Sequence, residues 1–253
     1  MHRDTGTKDG GDSMLLPSAT FVSAGDTAWQ LTAATLVGLM TVPGLALFYG
    51  GMVPRRFAVH ATLMVLYAFA MVLIVWLLWG YRMAFGTPLA LGPSLLESVV
   101  GTPGPVVGAL SEMGQASIPL LKGALPPLRI TGATLIYFQF AFAAITPALL
   151  AGAVVGRMNM RAWILFVPVW CTLVYTVNAF LLWGGGFLSQ LGAVDYSGGY
   201  VIHVAAGVSG FVAAWVIQRE SRRRSGGRTR PVTTKAPGQL LLAVLGAGLL
   251  WLG

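Results

Sequence analysis

Five stretches of this chain run for 23 residues or more without one Asp, Glu, Lys or Arg: 27–54, 57–81, 130–156, 162–194 and 196–218. About 20 apolar residues suffice for a helix to cross the hydrocarbon core of a bilayer, so each run is long enough to span. Composition agrees. Soluble domains carry about a quarter charged residues, whereas 9% of this chain is charged and 56% hydrophobic. The runs are continuous, where barrel strands would alternate apolar and polar positions in shorter segments. The expected fold class is therefore an all-α membrane protein, a polytopic helical bundle.

Helices are expected near 28–50, 58–80, 130–155, 162–183 and 198–217. A sixth charge-free run, 236–253, is still apolar at Trp251 and reads as a helix over 238–253 interrupted mid-membrane, so the chain is expected to be the first part of a longer one. Residues 1–25 form a polar segment without an apolar signal-peptide core, expected on the outer side; residues 26–253 form the transmembrane domain. Between the second and third spans, Pro88, Pro93, Pro103, Pro105, Pro119, Pro126 and Pro127 break any helix, and Glu97, Glu112 and Lys122 divide the apolar pieces. This stretch, 83–129, is expected to be a long ordered loop with room for one short helix.

The connecting segments 51–57, 156–161 and 218–235 hold eleven of the sixteen basic residues and one acid, Glu220. Basic loops stay in the cytoplasm, which puts the N-terminus outside; the expected location is the plasma membrane, the inner membrane of a bacterium. The same placement explains the net charge of +8 as a topology signal facing anionic lipid; nucleic acid is not an expected partner. The single Cys171 excludes a disulfide scaffold, and no phosphate-binding glycine loop, nucleophile elbow or metal-ligand spacing occurs. Nothing points to an enzyme, a metal or a cofactor.

Ionisable groups at membrane depth are costly and are the first place to look for function. Two stand out: Asp195, at the mouth of the fifth helix, and His203, eight residues on and about 12 Å deeper at 1.5 Å per residue. Gly199 and Gly207 flank His203 on one face and leave room for a neighbouring helix. Phe138 and Phe142 share a face of the third helix, and Trp183 closes the fourth before Gly184, Gly185 and Gly186. Taken singly, each has a plainer reading. Asp195 serves as an N-cap for N–H groups near Ser197 and Gly198, His203 as a buried hydrogen-bonded histidine, the rings as packing or interface residues. Pro43 and Pro147 are expected to kink the first and third helices.

Together the segments resemble the ammonium transporter (Amt/Rh) family. The resemblance runs in order through Asp26 and Trp29, Pro43-Gly44 and Phe48-Tyr49-Gly50-Gly51, Phe142 with Thr146-Pro147, Trp183 with its three glycines, and Leu191-Gly192-Ala193-Val194-Asp195 leading to His203. It implies a homotrimer of pores, each built from two inverted five-helix halves, of which this chain is the first half and most of a sixth helix. It further implies that Trp183 greets ammonium through its π face, Asp195 is the acid beside that site, and Phe138 walls the vestibule. Phe142 would gate the pore, and His203 would be the first of two pore histidines. A cytoplasmic PII-type regulator is an implied partner besides ammonium, ammonia and the bilayer. Three positions depart from the family pattern: Arg82 stands where a small polar residue is usual, Gly156 where Glu is common, and Tyr175–Phe180 lacks the usual Pro and His. A non-transporting ammonium sensor of the same fold, or an inactive truncated product, are the alternative readings.

Overall fold

The computed structural model describes residues 22–90, 99–107, 110–123, 126–224 and 238–253. Most of the expected polar segment 1–25, Pro93 and Glu97 in the long loop, and Arg228, Arg230 and Lys235 in the basic segment lie outside the described residues. Among those described, the protein is helical, and five helices are long and apolar enough to cross a membrane: α1 (Ala24–Met52), α2 (Arg55–Phe85), α3 (Gly132–Val154), α4 (Met160–Gln190) and α5 (Gly199–Arg224). A shorter apolar helix, α6 (Leu240–Leu252), follows.

Local chemistry sets where these helices begin. Ser23 Oγ accepts from the Asp26 N–H (3.1 Å), Thr131 Oγ1 from the Thr134 N–H (3.2 Å) and Asn159 Oδ1 from the Ala162 N–H (2.8 Å), each satisfying a donor that has no partner within its helix. The Ser23 cap lets α1 start at Ala24, ahead of the charge-free run. At the other end of α2 the helix passes through Arg82 to Phe85. A charge can end a hydrophobic run without ending the hydrogen-bond ladder. Helical pitch widens at Met40–Leu45, Trp76–Gly80, Cys171–Tyr175 and Gly199–Val204. The first of these contains Pro43, which has no N–H to donate, and Val42 leaves the helical region altogether (φ −130°, ψ 110°). Pro147, by contrast, sits inside a single uninterrupted α-helix.

Helix α3 is the axis of the bundle. Two thirds (67%) of its most apolar window is buried, against 28% for α5. Side-chain donors fasten the other helices around it and to each other. Trp76 Nε1 donates to the Ile136 carbonyl (3.0 Å), Trp163 Nε1 to Met64 (2.9 Å), Tyr67 to Ile164 (2.8 Å) and Tyr49 to Leu149 (2.9 Å). Trp79 reaches Thr172 Oγ1 (3.0 Å) and Trp170 reaches Ser209 Oγ (2.9 Å). In a membrane each such bond contributes only about 0.6 kcal/mol on average, so they act as a set together with close packing of small residues. That packing is close where α6 crosses α1: a Cβ on Gly246 would collide with the Phe48 backbone, and one on Gly51 with that of Ala243.

The bundle has two distinct ends. The loop end carries the starts of α1, α3 and α5, the finish of α2 and α4, and the segment joining α2 to α3. Among its described residues that segment is irregular, with short 3-10 turns at Leu110–Met113 and Pro119–Leu121. The Ser23 N–H donates to the Arg129 carbonyl (2.8 Å) and Arg129 Nε lies 3.4 Å from Asp26 Oδ2, holding the ends of α1 and α3 side by side. The arginine end carries Arg55, Arg56, Arg157, Arg161, Arg219 and Arg222–Arg224. There Arg56 lies over the Phe57 ring (4.7 Å) and Arg219 over Trp215 (5.8 Å).

Candidate functional site

At the loop end a cavity of about 570 Å³ opens between α3, α4, the end of α2 and the segment leading into α5. Phe138, Phe142, Trp183 and Asp195 all line it. Their meeting is prepared separately on each element. Phe138 and Phe142, one helical turn apart, contact edge to face (centroids 4.9 Å, 77°), and Phe142 meets the Trp183 indole in the same manner (6.1 Å, 71°). Edge-to-face pairs of this kind add about 0.5–1.5 kcal/mol each beyond burial, enough to hold three rings in a fixed arc.

Trp183 is placed by the corner that follows it. A Cβ on Gly184 would run into the Ala84 carbonyl of α2, and Gly185 (φ +84°) would set one 2.7 Å from Leu120 Cβ. The left-handed turn and the missing side chains let α4 turn a corner after Trp183, flush against α2 and the loop segment. The indole N–H of Trp183 then donates to the Asp195 carbonyl at 3.3 Å.

Asp195 does cap α5, but differently from the sequence expectation. Its Oδ2 accepts from the Val201 N–H at 2.9 Å, rather than from the amides near Ser197 and Gly198. Gly198 takes a left-handed conformation (φ +83°) that folds the chain back, so Asp195 stands ahead of the first turn and reaches its third residue. The carboxylate is thereby fixed, half-buried, at the rim of the aromatic arc.

His203 lies elsewhere. It is exposed, on an open groove of about 550 Å³ that it shares with Tyr49, Arg157, Gly207, Gly210 and Phe211. A Cβ on Gly207 would meet nothing within 4 Å, so no helix occupies that face among the described residues. His203 is thus neither buried nor joined to the other four. Of the departures, Arg82 does not line the cavity; its side chain packs on Gly104, whose Cβ would come within 3.3 Å of the Arg82 Cδ. Gly156 turns with φ +72° beside Phe57.

Sequence reasoning passed over Phe85, Ser189, Ser197 and Gln139, which also line the cavity. Gln139 had a signal: it is an amide in the middle of the charge-free run 130–156, three residues before Phe142 and so on the same face. Its Oε1 is buried and has no hydrogen-bond partner among the described residues.

A sequence profile described as the Ammonium Transporter Family matches residues 28–253. Ammonium transporter 2 of Arabidopsis thaliana is 49% identical over 243 residues, covering 96% of this chain and 48% of that protein. Ammonium transporter 3 member 3 of Oryza sativa subsp. japonica is 46% identical, covering 93% and 48%. The crystal structure of Saccharomyces cerevisiae Mep2 superposes with a TM-score of 0.72 at 27% identity, over 100% of this chain and 53% of that one. The chain spans about half the length of the relatives it matches.

Proposed function

This chain belongs to the ammonium transporter family, and from that premise we propose that the full-length protein carries ammonium across the plasma membrane. The observation that supports it is the cavity at the loop end, where three aromatic rings and one fixed carboxylate converge. A carboxylate at the rim raises the local concentration of cations, and the faces of Trp183 and Phe138 replace part of the hydration of one that enters, an attraction of about 2 kcal/mol once partly desolvated.

Potassium is similar to ammonium in size, so a sieve would not separate them. Ammonium donates hydrogen bonds and potassium does not, which is the difference that rings and oriented acceptors read. Moving an intact charge further along an apolar path is expensive. Transfer of the proton from ammonium to water at the open mouth of the cavity, with passage of neutral ammonia beyond Phe142 as gate, lowers that cost. His203 then lines the path as a group that both accepts and donates hydrogen bonds. The function is transport, with no enzymatic turnover.

The loop end faces outward and the arginine end the cytoplasm, consistent with the distribution of basic residues. The working unit in this reading is a homotrimer, and the arginine end is where a PII-type regulator would dock, as the family resemblance implies. Concentration-dependent uptake of methylammonium by the full-length protein, in cells lacking their own transporters, tests the reading. Uptake unaltered in both Trp183→Leu and His203→Ala variants would sink the site assignment. A protein that binds ammonium without moving it would favour the sensor reading.

A further inference from the structure

The acceptors around the loop-end cavity are not equally available. The indole N–H of Trp183 is a donor and is committed to the Asp195 carbonyl. One carboxylate oxygen of Asp195 already accepts from Val201. Ser197 is exposed and stays hydrated. Gln139 differs from all of these: it lines the cavity on the α3 face that carries Phe138 and Phe142, yet its side-chain oxygen is buried and has no hydrogen-bond partner among the described residues. A buried acceptor left empty is unfavourable, and the cost is removed by whatever donor enters beside it.

Building on the transport reading, we infer that Gln139 is a specificity-determining residue, whose amide oxygen accepts an N–H from ammonium while the rings of Phe138, Phe142 and Trp183 take the cation's other sides. Ammonium carries four donors pointing to the corners of a tetrahedron; aromatic faces accept weakly and without strict direction, and an amide oxygen accepts along its lone pairs. One carbonyl among three rings suits such an ion. It suits potassium poorly, since potassium sites surround the ion with rings of carbonyl oxygens. Neutrality of the amide is part of the assignment, because a transported ion must be held weakly enough to leave.

The test uses full-length protein at matched membrane abundance. Gln139→Met keeps the length and unbranched shape and removes the acceptor. The half-saturation concentration for methylammonium uptake is expected to rise roughly five- to tenfold, the effect of one hydrogen bond, with the maximal rate nearly unchanged. Gln139→Glu keeps an acceptor and adds charge, and is expected to lower half-saturation and slow the maximal rate. On purified protein, thermal stabilisation by ammonium chloride over potassium chloride is expected to need a correspondingly higher concentration in Gln139→Met.

Half-saturation unchanged in Gln139→Met, or raised equally in Gln139→Glu, overturns the inference and leaves the transport reading standing. If Gln139→Met does not reach the membrane, the direction of the Gln139→Glu shift decides. Wild-type protein that moves no methylammonium but shows Gln139-dependent stabilisation by ammonium overturns transport and supports the inference. Wild-type protein without any ammonium-specific stabilisation overturns the inference.

Discussion

The cavity at the loop end and the groove holding His203 are of nearly equal volume, about 570 and 550 Å³, and differ in how their walls are made. Around the cavity, rings touch rings, the Asp195 carboxylate is pinned to Val201, and the glycine corner is pressed onto α2 and the loop. Along the groove, His203 is exposed and Gly207 faces open space. One region is locked by contacts within this chain; the other presents a polar group to a side that the described residues do not cover. On the proposed transport reading, recognition and conduction would therefore rest on different amounts of polypeptide.

The largest effect should come from testing that division directly. Residues 1–253 reconstituted alone in liposomes should give no methylammonium flux, while the full-length protein does; measurable flux through the short chain would erase the contrast. Next in size is Gly185→Val, which forces a branched residue into a left-handed conformation 2.7 Å from Leu120 and should cost about 2–4 kcal/mol, read as a lowered melting temperature in detergent. Gly207→Ala, on the open face, should be neutral or stabilising by up to about 1 kcal/mol in the isolated chain.

Trp183→Leu in the full-length protein should raise half-saturation roughly five- to thirtyfold, corresponding to about 1–2 kcal/mol of lost cation–π attraction. His203→Ala should instead lower the maximal rate at similar half-saturation. Both variants changing the same parameter would mean the two regions act as one. The smallest effect on uptake is expected for Asp195→Asn, whose side-chain oxygen still accepts from Val201: half-saturation should rise a few-fold as the rim charge is lost, with the melting temperature nearly unmoved.

The contrast between the regions also separates what could be read in the sequence from what could not. The spans were legible because the hydrocarbon core of a bilayer penalises charge, most of all at its centre, so uncharged stretches such as 130–156 stand out without any knowledge of packing. Their ends were less so. Arg82 closes a charge-free run yet lies inside α2, since its side chain can pack along Gly104 while its backbone stays helical. Of the two prolines flagged as kinks, Pro43 disrupts α1, whereas Pro147 sits in unbroken α3; no sequence pattern distinguishes the surroundings that decide this.

Within the cavity, Phe138 and Phe142 are related by helical spacing alone. Asp195 stood out as an ionisable group and Trp183 as a ring before three glycines, but their meeting was not legible, because only tertiary structure brings the glycine corner within α4 to the entrance of α5. The Asp195 partner depended on the left-handed turn at Gly198, which places the cap three residues further along than a simple reading suggests. Gln139 was overlooked because an uncharged amide leaves a hydrophobic run looking intact.

The aromatic donors that fasten the helices have an asymmetry of their own. Trp76, Trp163, Tyr49 and Tyr67 all donate to main-chain carbonyls, at Ile136, Met64, Leu149 and Ile164. A main-chain acceptor survives any substitution that keeps the helix, so mutation can dismantle each lock from one side only. Four positions must hold a donor ring of the right reach, and the four opposite them remain free to drift in sequence while the helices keep their register.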